Sequence, residues 1–258
     1  MKIISSAQNP IIKNLLILHK KSKERKKQNL FVVEGKKEIE RALLGSYFFK
    51  IILVREGSQK PFENFNKKIK DFIFVKKNLF DKVSVRSGSE KYMGIGISKK
   101  HSFKDFKPKN NEVFLVANSI EKPGNIGALL RTCSALGVSG FILSDKKADL
   151  YNPSVIRSSL GGVFNIPILI SDSKKIINYL KINNIKIISG SITEKSVPLN
   201  KTYIPKPCAI IVGSESKGLD IEWTKNSNEI IQIPMKNNID SLNVSVAAAI
   251  LIHYAIGN

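Results

Sequence analysis

Polar residues interrupt otherwise apolar segments at several places in the second half of this sequence. Arg131 follows Asn125 by six residues, in a segment whose helical face is otherwise apolar. An arginine at such a position needs a carboxylate, a path to solvent or an anionic ligand. Asn125 suits a helix N-cap or a turn as well as a binding site. Both residues are therefore candidates for holding an anionic or hydroxyl-bearing substrate.

Two loops that follow apolar runs carry the other candidates. Gly213 closes a run of β-branched residues, so it marks either an ordinary turn or a point where a ligand approaches the backbone. Glu215 in the same loop either organises backbone N–H groups or is simply solvated. Ser241 precedes an apolar helical run and suits an N-cap, and Asn243 is then expected in the first helical turn, facing solvent or a ligand.

The sequence lacks the signatures of the common nucleotide and metal sites. Residues 213–218 begin like a phosphate-binding P-loop, but Leu219 and Asp220 stand where the essential lysine and hydroxyl residue belong. No Gly-x-Gly-x-x-Gly follows the strand predicted from Val113. The histidines are far apart in sequence, and neither cysteine has metal-ligand spacing to them. We therefore expect no metal site.

The charge of the chain indicates a polyanionic partner, with nucleic acid ahead of an anionic membrane. The formal net charge is +21 over 258 residues. Residues 1–109 hold 27 Lys and Arg against 10 Asp and Glu, whereas residues 110–258 hold 15 against 11. Because a compositional bias of the genome would act on both parts, this asymmetry assigns the electrostatic contact to the first part.

The cysteines and the N-terminal sequence bear on the compartment. Cys133 and Cys208 each lie inside an apolar segment, which is typical of buried thiols in a reducing compartment. Residues 1–10 contain no apolar core of a signal peptide, and the apolar run 246–252 is too short to span a membrane. We expect a cytoplasmic protein without membrane association.

Strand and helix patterns alternate along the first 97 residues. Helical spacing of apolar residues predicts a basic helix from Pro10, followed by a lysine-rich stretch at 20–27. Further strands are predicted at 30–34, 49–54, 72–75 and 92–97, and further helices at 36–44 and 78–83. These elements predict a small α/β domain at 1–97, with the polar segment 98–111 as a linker.

The second predicted domain, residues 112–258, contains six apolar, β-branched runs typical of strands buried on both faces. These runs are 112–118, 140–144, 163–170, 185–189, 208–212 and 229–233, and the helices predicted between and after them are 124–136, 152–158, 174–180 and 241–256. Such alternation predicts a parallel sheet built from right-handed βαβ units.

Three segments of this domain, taken in order, resemble the three motifs of the SpoU/TrmH family of SPOUT methyltransferases. They are NSIEKPGNIGALLRTCSALG at 118–137, IIVGSESKGL at 210–219 and IPMKNNIDSLNVSVAAA at 233–249. The resemblance extends over 112–258, and residues 6–13 with 31–35 resemble the N-terminal substrate-binding domain of the family.

The resemblance implies a fold and a reaction. It implies a C-terminal SPOUT domain with a deep trefoil knot that forms the S-adenosylmethionine site, and a smaller N-terminal α/β domain that binds RNA and is similar to ribosomal proteins. It also implies a homodimer that completes the active site, and methylation of a ribose 2′-hydroxyl in ribosomal RNA of the 23S type or in transfer RNA.

The resemblance also assigns site residues. The polar catalytic set is Arg131, Asn125, Glu215, Ser241 and Asn243, and the cofactor-binding set is Gly213, Ile233, Pro234, Met235 and Leu242. The charge pattern assigns RNA contacts to the basic stretch of Lys13, Lys20, Lys21, Lys23, Arg25, Lys26 and Lys27. Arg157, between two predicted buried strands, is expected either to add a phosphate contact or to lie in an interface. Clustered lysines give affinity without reading sequence, so they leave the RNA unspecified.

Three loop positions depart from the family pattern. Asn118 stands where Asp is usual, and Ser216 and Asn237 stand where Gly is common. These departures bear on loop geometry more than on activity, because the polar catalytic set is intact.

The sequence is also compatible with two other functions. One is a catalytically silent RNA-binding or ribosome-assembly protein of the same fold, and the other is a base methyltransferase of the superfamily. In the family the arginine is proposed to help remove the hydroxyl proton. Because an arginine side chain stays charged at physiological pH and is a poor base, binding the adjacent phosphate and stabilising a forming alkoxide is at least as plausible for Arg131.

Overall fold

The computed structural model of the chain describes residues 3–85, 90–106, 112–214, 217–237 and 240–257. The chain forms two compact units. The first contains Met1–Lys100 together with Asp149–Asn165, and the second contains His101–Ala148 and Ile166–Asn258. The domain boundaries at 97 and 112 stay a prediction. Nothing in the sequence pattern indicates that residues 149–165 belong to the first unit.

The first unit is an α/β structure on a five-stranded mixed sheet. Its elements in chain order are β1 (Ile3–Ile4), α1 (Pro10–Lys20), α2 (Ser22–Gln28), β2 (Leu30–Glu34), α3 (Lys36–Leu44), β3 (Phe49–Arg55), β4 (Ile69–Val75), α4 (Lys77–Val83) and β5 (Tyr92–Ile97). The strand order is β1-β4-β3-β5-β2, and β5 runs antiparallel to both of its neighbours. Every element predicted for residues 1–97 is present, and the two-residue β1 is an addition.

Local sequence explains how the first helix begins and what it buries. Asn9 caps α1, because its side-chain oxygen accepts a hydrogen bond from the amide of Ile11 at 2.9 Å. Ile12, Leu15 and Leu18 repeat at helical spacing and are fully buried against the sheet. The apolar stripe therefore fixes the orientation of α1, and its lysines are left in solvent.

Apart from one helix, the remaining elements form a seven-stranded parallel sheet and its helices. They are β6 (Val113–Asn118), α5 (Pro123–Leu136), β7 (Gly140–Ser144), α6 (Pro153–Ser158), β8 (Ile168–Ser171), α7 (Ser173–Ile182), β9 (Lys186–Gly190), β10 (Val197–Pro198), β11 (Cys208–Val212), α8 (Ile221–Asn226), β12 (Glu229–Gln232) and α9 (Val244–Gly257). The strand order is β10-β12-β9-β11-β6-β7-β8, and every pairing is parallel. Helix α6 belongs to the first unit.

The sheet confirms the predicted α/β fold class, with three differences in detail. The run 163–170 is not one strand, because Gly162–Phe164 forms a 3₁₀ turn and the strand begins at Ile168. The short strand β10 was too brief to give a periodic signal. Helix α9 begins at Val244 and not at residue 241. The trefoil knot stays a prediction.

The segment 149–165 is held in the first unit by an aromatic cluster. The rings of Phe31 and Tyr151 stack at 5.2 Å between centroids, and Tyr47 meets Phe164 edge to face at 4.9 Å. The hydroxyls of Tyr47 and Tyr151 lie 3.2 Å apart, and burial raises the pKa of both phenols. The guanidinium of Arg41 donates to the carbonyl of Leu160. Aromatic burial therefore determines where this excursion of the chain is placed.

A buried ion pair joins the same segment to α2. Arg25 Nε donates to Asp149 Oδ2 at 2.7 Å, and the two side chains are only 3% and 9% exposed. Arg25 Nη1 also donates to the carbonyls of Leu18 and His19, at 2.5 and 3.1 Å, at the end of α1. The prediction that Arg25 contacts RNA is wrong, because its side chain is buried and its Nε and Nη1 donate inside the protein.

Replacing Arg25 with alanine should lower the free energy of unfolding by roughly 3–5 kcal/mol, the usual cost of leaving a buried charge without its partner. Lys26→Ala is the matched control, because Lys26 is an exposed neighbour on α2 and exposed substitutions change stability by no more than about 0.5 kcal/mol. Urea denaturation measures both. Equal transition midpoints would contradict the structural role of the pair.

Among the described residues, no helix combines the length and the apolar character needed to cross a lipid bilayer.

Candidate functional site

A cavity of about 550 Å³ opens at the carboxyl ends of β9, β11 and β12. Its wall consists of the residues that end these strands, the two loops that follow β11 and β12, and the first turns of α9. The lining residues are Gly190, Ser191, Ile192, Val212, Gly213, Ser214, Gly218, Leu219, Ile231, Gln232, Ile233, Met235, Asp240, Ser241, Leu242, Asn243, Val244, Ala247 and Leu251. Ligands of open α/β sheets bind at this edge, and the volume lies within the ~300–1,000 Å³ typical of small-molecule sites.

Gly213 lies in the cavity wall, next to the backbone of Gly218. The Gly218 amide donates to the Ser214 carbonyl at 2.9 Å, and these two residues form an isolated antiparallel bridge. A methyl group placed on the Gly213 Cα would overlap the carbonyl carbon and oxygen of Gly218. Close approach of the backbone therefore requires glycine here. Positive φ occurs instead at Gly218, at +66°.

The loop after β12 supplies three of the predicted cofactor-binding residues. Ile233, Met235 and Leu242 line the cavity, whereas Pro234 is exposed and does not. Asn237 has a φ of +58°, the left-handed conformation that glycine and asparagine tolerate best. Asn237, in place of the common glycine, is therefore compatible with this turn.

The polar residues before α9 differ in role from what the sequence predicts. Asn243, and not Ser241, caps the helix, because its Oδ1 accepts from the Ser245 amide at 2.9 Å and from the Ser245 hydroxyl at 2.7 Å. Ser241 lines the cavity and is exposed. Its hydroxyl is thus available to a ligand, while Asn243 combines capping with a place in the cavity wall.

Arg131 and Asn125 both lie on α5, outside the cavity lining. Arg131 is exposed, and among the described residues nothing forms an ion pair or hydrogen bond with its guanidinium. The side-chain nitrogen of Asn125 is buried and has no hydrogen-bond partner within the described part of the chain. A buried amide donor without a partner costs about 1–3 kcal/mol, so Asn125 is poised to donate to a group outside the described residues. Glu215 lies outside the described residues.

A buried polar network that sequence analysis does not predict lies at the ends of β6 and β7. Asn118 Nδ2 donates to Asp145 Oδ2 at 3.3 Å, and the hydroxyls of Ser144 and Ser173 also donate to this carboxylate. Trp223 Nε1 donates to Ser173 Oγ at 2.9 Å. The sequence signal for this network is Asn118 itself, which replaces the aspartate usual in the family. Its amide supplies a hydrogen-bond donor, which an aspartate carboxylate would lack.

The network reaches the cavity through one backbone contact. The Asp220 amide donates to Asn118 Oδ1 at 3.4 Å. Asp220 follows Leu219, which lines the cavity. Asn118 therefore connects the carboxyl end of β6 to the loop that contains Gly213 and Gly218.

Replacing Asn118 with aspartate should lower the free energy of unfolding by at least about 1.5–3 kcal/mol, because a hydrogen bond to a charged group becomes a contact between two carboxylates. The double variant Asn118→Asp/Asp145→Asn restores one donor and one carboxylate, and should recover most of the loss. Thermal unfolding of the four proteins forms a double-mutant cycle. Additive effects of the two substitutions would show that the side chains are not coupled.

The predicted RNA-binding lysines are exposed, in contrast to Arg25. They are Lys13, Lys20, Lys21, Lys23, Lys26 and Lys27, on or between α1 and α2. Arg157 is exposed on α6. These side chains are accessible to a polyanion, and their contacts with RNA stay a prediction.

Both cysteines are buried thiols, and burial raises the pKa of Cys208 to about 12 and that of Cys133 further. Neither is therefore an activated nucleophile. Among the described residues, no group of three or more His, Cys, Asp and Glu side chains could hold a metal ion.

The sheet and the cavity together define an α/β protein with a cavity of small-molecule size between the loops that follow β11 and β12. Residues 112–253 match the SpoU rRNA methylase family, and residues 9–94 match the MRM3-like substrate-binding domain. Because the first match covers more than half of the chain, this protein belongs to the SpoU rRNA methylase family.

Relatives of full length share both parts of the chain. The 23S rRNA (guanosine(2553)-2′-O)-methyltransferase RlmP of Bacillus subtilis (strain 168) is 29% identical over 257 residues, which are 100% of both chains. An RNA 2′-O ribose methyltransferase of known crystal structure is 32% identical, with a TM-score of 0.84 over 99% of this chain and 98% of that one. An AdoMet-bound rRNA methyltransferase from Sinorhizobium meliloti is 25% identical, with a TM-score of 0.88 over 98% and 97%.

Proposed function

We propose that this protein methylates a ribose 2′-hydroxyl of ribosomal RNA of the 23S type, with S-adenosylmethionine as the methyl donor. The observation that carries the proposal is the cavity, in which the loops of the second and third family motifs meet at the ends of β11 and β12. The full-length likeness to RlmP of B. subtilis favours large-subunit ribosomal RNA over transfer RNA. The guanosine in the name of that relative is the first nucleotide to test.

The cavity fits the cofactor in shape and in chemistry. Ile231, Ile233, Met235 and Leu251 offer apolar surface to an adenine ring, and Gly213 and Gly218 line the cavity with backbone atoms alone. When bound, S-adenosylmethionine supplies an electrophilic methyl group on a sulfonium. The residues of the chain then have to position the ribose oxygen and accept its proton.

We assign to Arg131 the role of binding the negative charge of the substrate. An exposed guanidinium without an internal partner can bind a phosphate beside the reacting ribose and stabilise the oxygen as its proton leaves. Asn125 lies six residues before Arg131 on α5, and its buried amide donor can hold a ribose or phosphate oxygen. We assign polar contacts at the site to Ser241, Asn243 and Glu215.

We further propose that the enzyme is a homodimer and acts in the cytoplasm. Three large apolar side chains of α9 are exposed, Val246 at 47%, Ile250 at 37% and Ile256 at 38%. Apolar side chains grouped on one helix favour burial against another copy of the chain. Sedimentation equilibrium should give twice the chain mass, and a monomer at micromolar concentration would contradict the dimer.

The experiment that tests the function is transfer of labelled methyl from S-adenosylmethionine to unmodified 23S-type RNA, with unmodified transfer RNA beside it. Resistance of the labelled nucleotide to alkaline cleavage identifies ribose 2′-O-methylation. A methylated base would make the protein a base methyltransferase. Cofactor binding without transfer to either RNA would support a silent RNA-binding protein.

A further inference from the structure

A second cavity, of about 480 Å³, lies in the first unit where β3 and β4 begin and β5 ends. We call it the lysine groove. Its lining residues are Phe48, Phe49, Lys50, Ile51, Lys67, Lys68, Ile69, Lys70, Asp71 and Ile97. None of its lysines belongs to the basic stretch on α1 and α2, so the groove is a separate concentration of positive charge.

The lysines of the groove divide into one that is fixed and three that are free. Lys68 Nζ donates to the Leu43 carbonyl at 2.8 Å and lies 5.8 Å from the centre of the Phe65 ring. Lys50, Lys67 and Lys70 are exposed, and no carboxylate among the described residues forms an ion pair with them. Asp71 is the one acidic residue in the lining. The groove therefore presents a net positive surface to a mobile anion.

Apolar side chains stand beside these free lysines. The Phe48 side chain is 52% exposed and that of Ile97 is 40% exposed, whereas Phe49 is buried at 2%. An aromatic ring left in solvent among lysines matches the composition of sites for unpaired nucleic acid, where a base stacks on the ring and phosphates lie on the cations. A base inside a duplex is already stacked and cannot use such a ring.

We propose that the lysine groove binds a short unpaired segment of the RNA substrate, with a base on Phe48 and phosphates on Lys50, Lys67 and Lys70. This inference rests on the proposed function, because it takes RNA as the substrate. The charge and the exposed ring favour RNA over a second copy of this strongly basic chain, which would repel itself at this surface.

The test is binding of an unstructured single-stranded RNA oligonucleotide to the full chain, followed by fluorescence anisotropy over a range of salt concentrations. Phe48→Ala should weaken binding roughly 5- to 150-fold with little change in the salt dependence, because stacking is lost. The triple variant Lys50→Ala/Lys67→Ala/Lys70→Ala should reduce the slope of log K against log salt by about 2, at ~0.7 for each phosphate contact of a single strand.

Two controls separate the groove from general charge and from misfolding. Lys174→Ala/Lys195→Ala/Lys225→Ala removes the same charge from exposed positions of the second unit and should leave the slope unchanged. Phe48→Trp keeps a stacking surface and should bind like the unchanged protein. A duplex of equal length should be insensitive to Phe48→Ala.

If the groove variants bound the oligonucleotide as strongly as the unchanged protein, the proposed role of the groove would be wrong, and the proposed function would be unaffected. Absence of oligonucleotide binding by the unchanged protein would also overturn the groove, whereas the proposed function is decided separately by methyl transfer to 23S-type RNA. If Phe48→Ala converted a dimer to a monomer, the surface would be an interface between copies, and the RNA assignment would be wrong.

Discussion

Replacing Arg131 with alanine should lower the rate of methyl transfer by roughly 10²–10³-fold, the usual loss when a group that stabilises developing charge is removed. The side chain is exposed on α5 and has no internal partner among the described residues, so its removal should not unfold the protein. Because Arg131 does not line the cavity, the affinity for S-adenosylmethionine should stay within about twofold. Single-turnover transfer to RNA and calorimetric cofactor binding measure the two effects.

Two variants test the specificity of this result. Ser134→Ala changes an exposed residue on the same helix and should leave transfer unchanged. Arg131→Lys keeps the charge and loses the planar fork of donors, so an intermediate rate indicates bidentate binding of a phosphate. A fully active Arg131→Ala protein would remove this residue from the catalytic set.

Replacing Gly213 with alanine should weaken binding of S-adenosylmethionine roughly 10- to 100-fold. The added methyl group overlaps the backbone of Gly218 and Leu219, so these residues have to move. Forcing extra carbon into a closely packed position costs about 1–3 kcal/mol, and here the displaced atoms form the cavity wall. Calorimetric titration with S-adenosylmethionine measures the loss.

Gly124→Ala is the matched control for this effect. It adds the same methyl group to another glycine of the second unit, where nothing lies within 4 Å of the new carbon. This variant should bind the cofactor like the unchanged protein. If Gly213→Ala also bound normally, then the turn would be deformable and the cavity would not depend on its shape.

Elements with strong local signals could be predicted from the sequence. The stripe of Ile12, Leu15 and Leu18 and five of the six β-branched runs place α1 and the main strands of the parallel sheet to within a few residues. The family motifs indicated Gly213, Ile233, Met235 and Leu242, all of which line one cavity. These features depend on short stretches of sequence.

The details that the sequence could not predict depend on contacts between distant residues. Arg25 reads as one more cation in a basic stretch, but its partner, Asp149, lies 124 positions away. Asp145 reads as a turn residue, although it accepts hydrogen bonds from three other side chains. The choice between Ser241 and Asn243 as the helix cap is a shift of two residues, which periodicity does not resolve.

The excursion of residues 149–165 limits how this protein can be divided. A fragment that ends at residue 100 would lose Tyr151, Phe164 and Asp149, which leaves Phe31 without its stacked ring and Arg25 as a buried charge with no counterion. The first unit is therefore not an independent module in sequence, although its sheet is complete. An exchange of this part between relatives would have to transplant two separate stretches of chain, and relatives that differ in one stretch are expected to differ in the other.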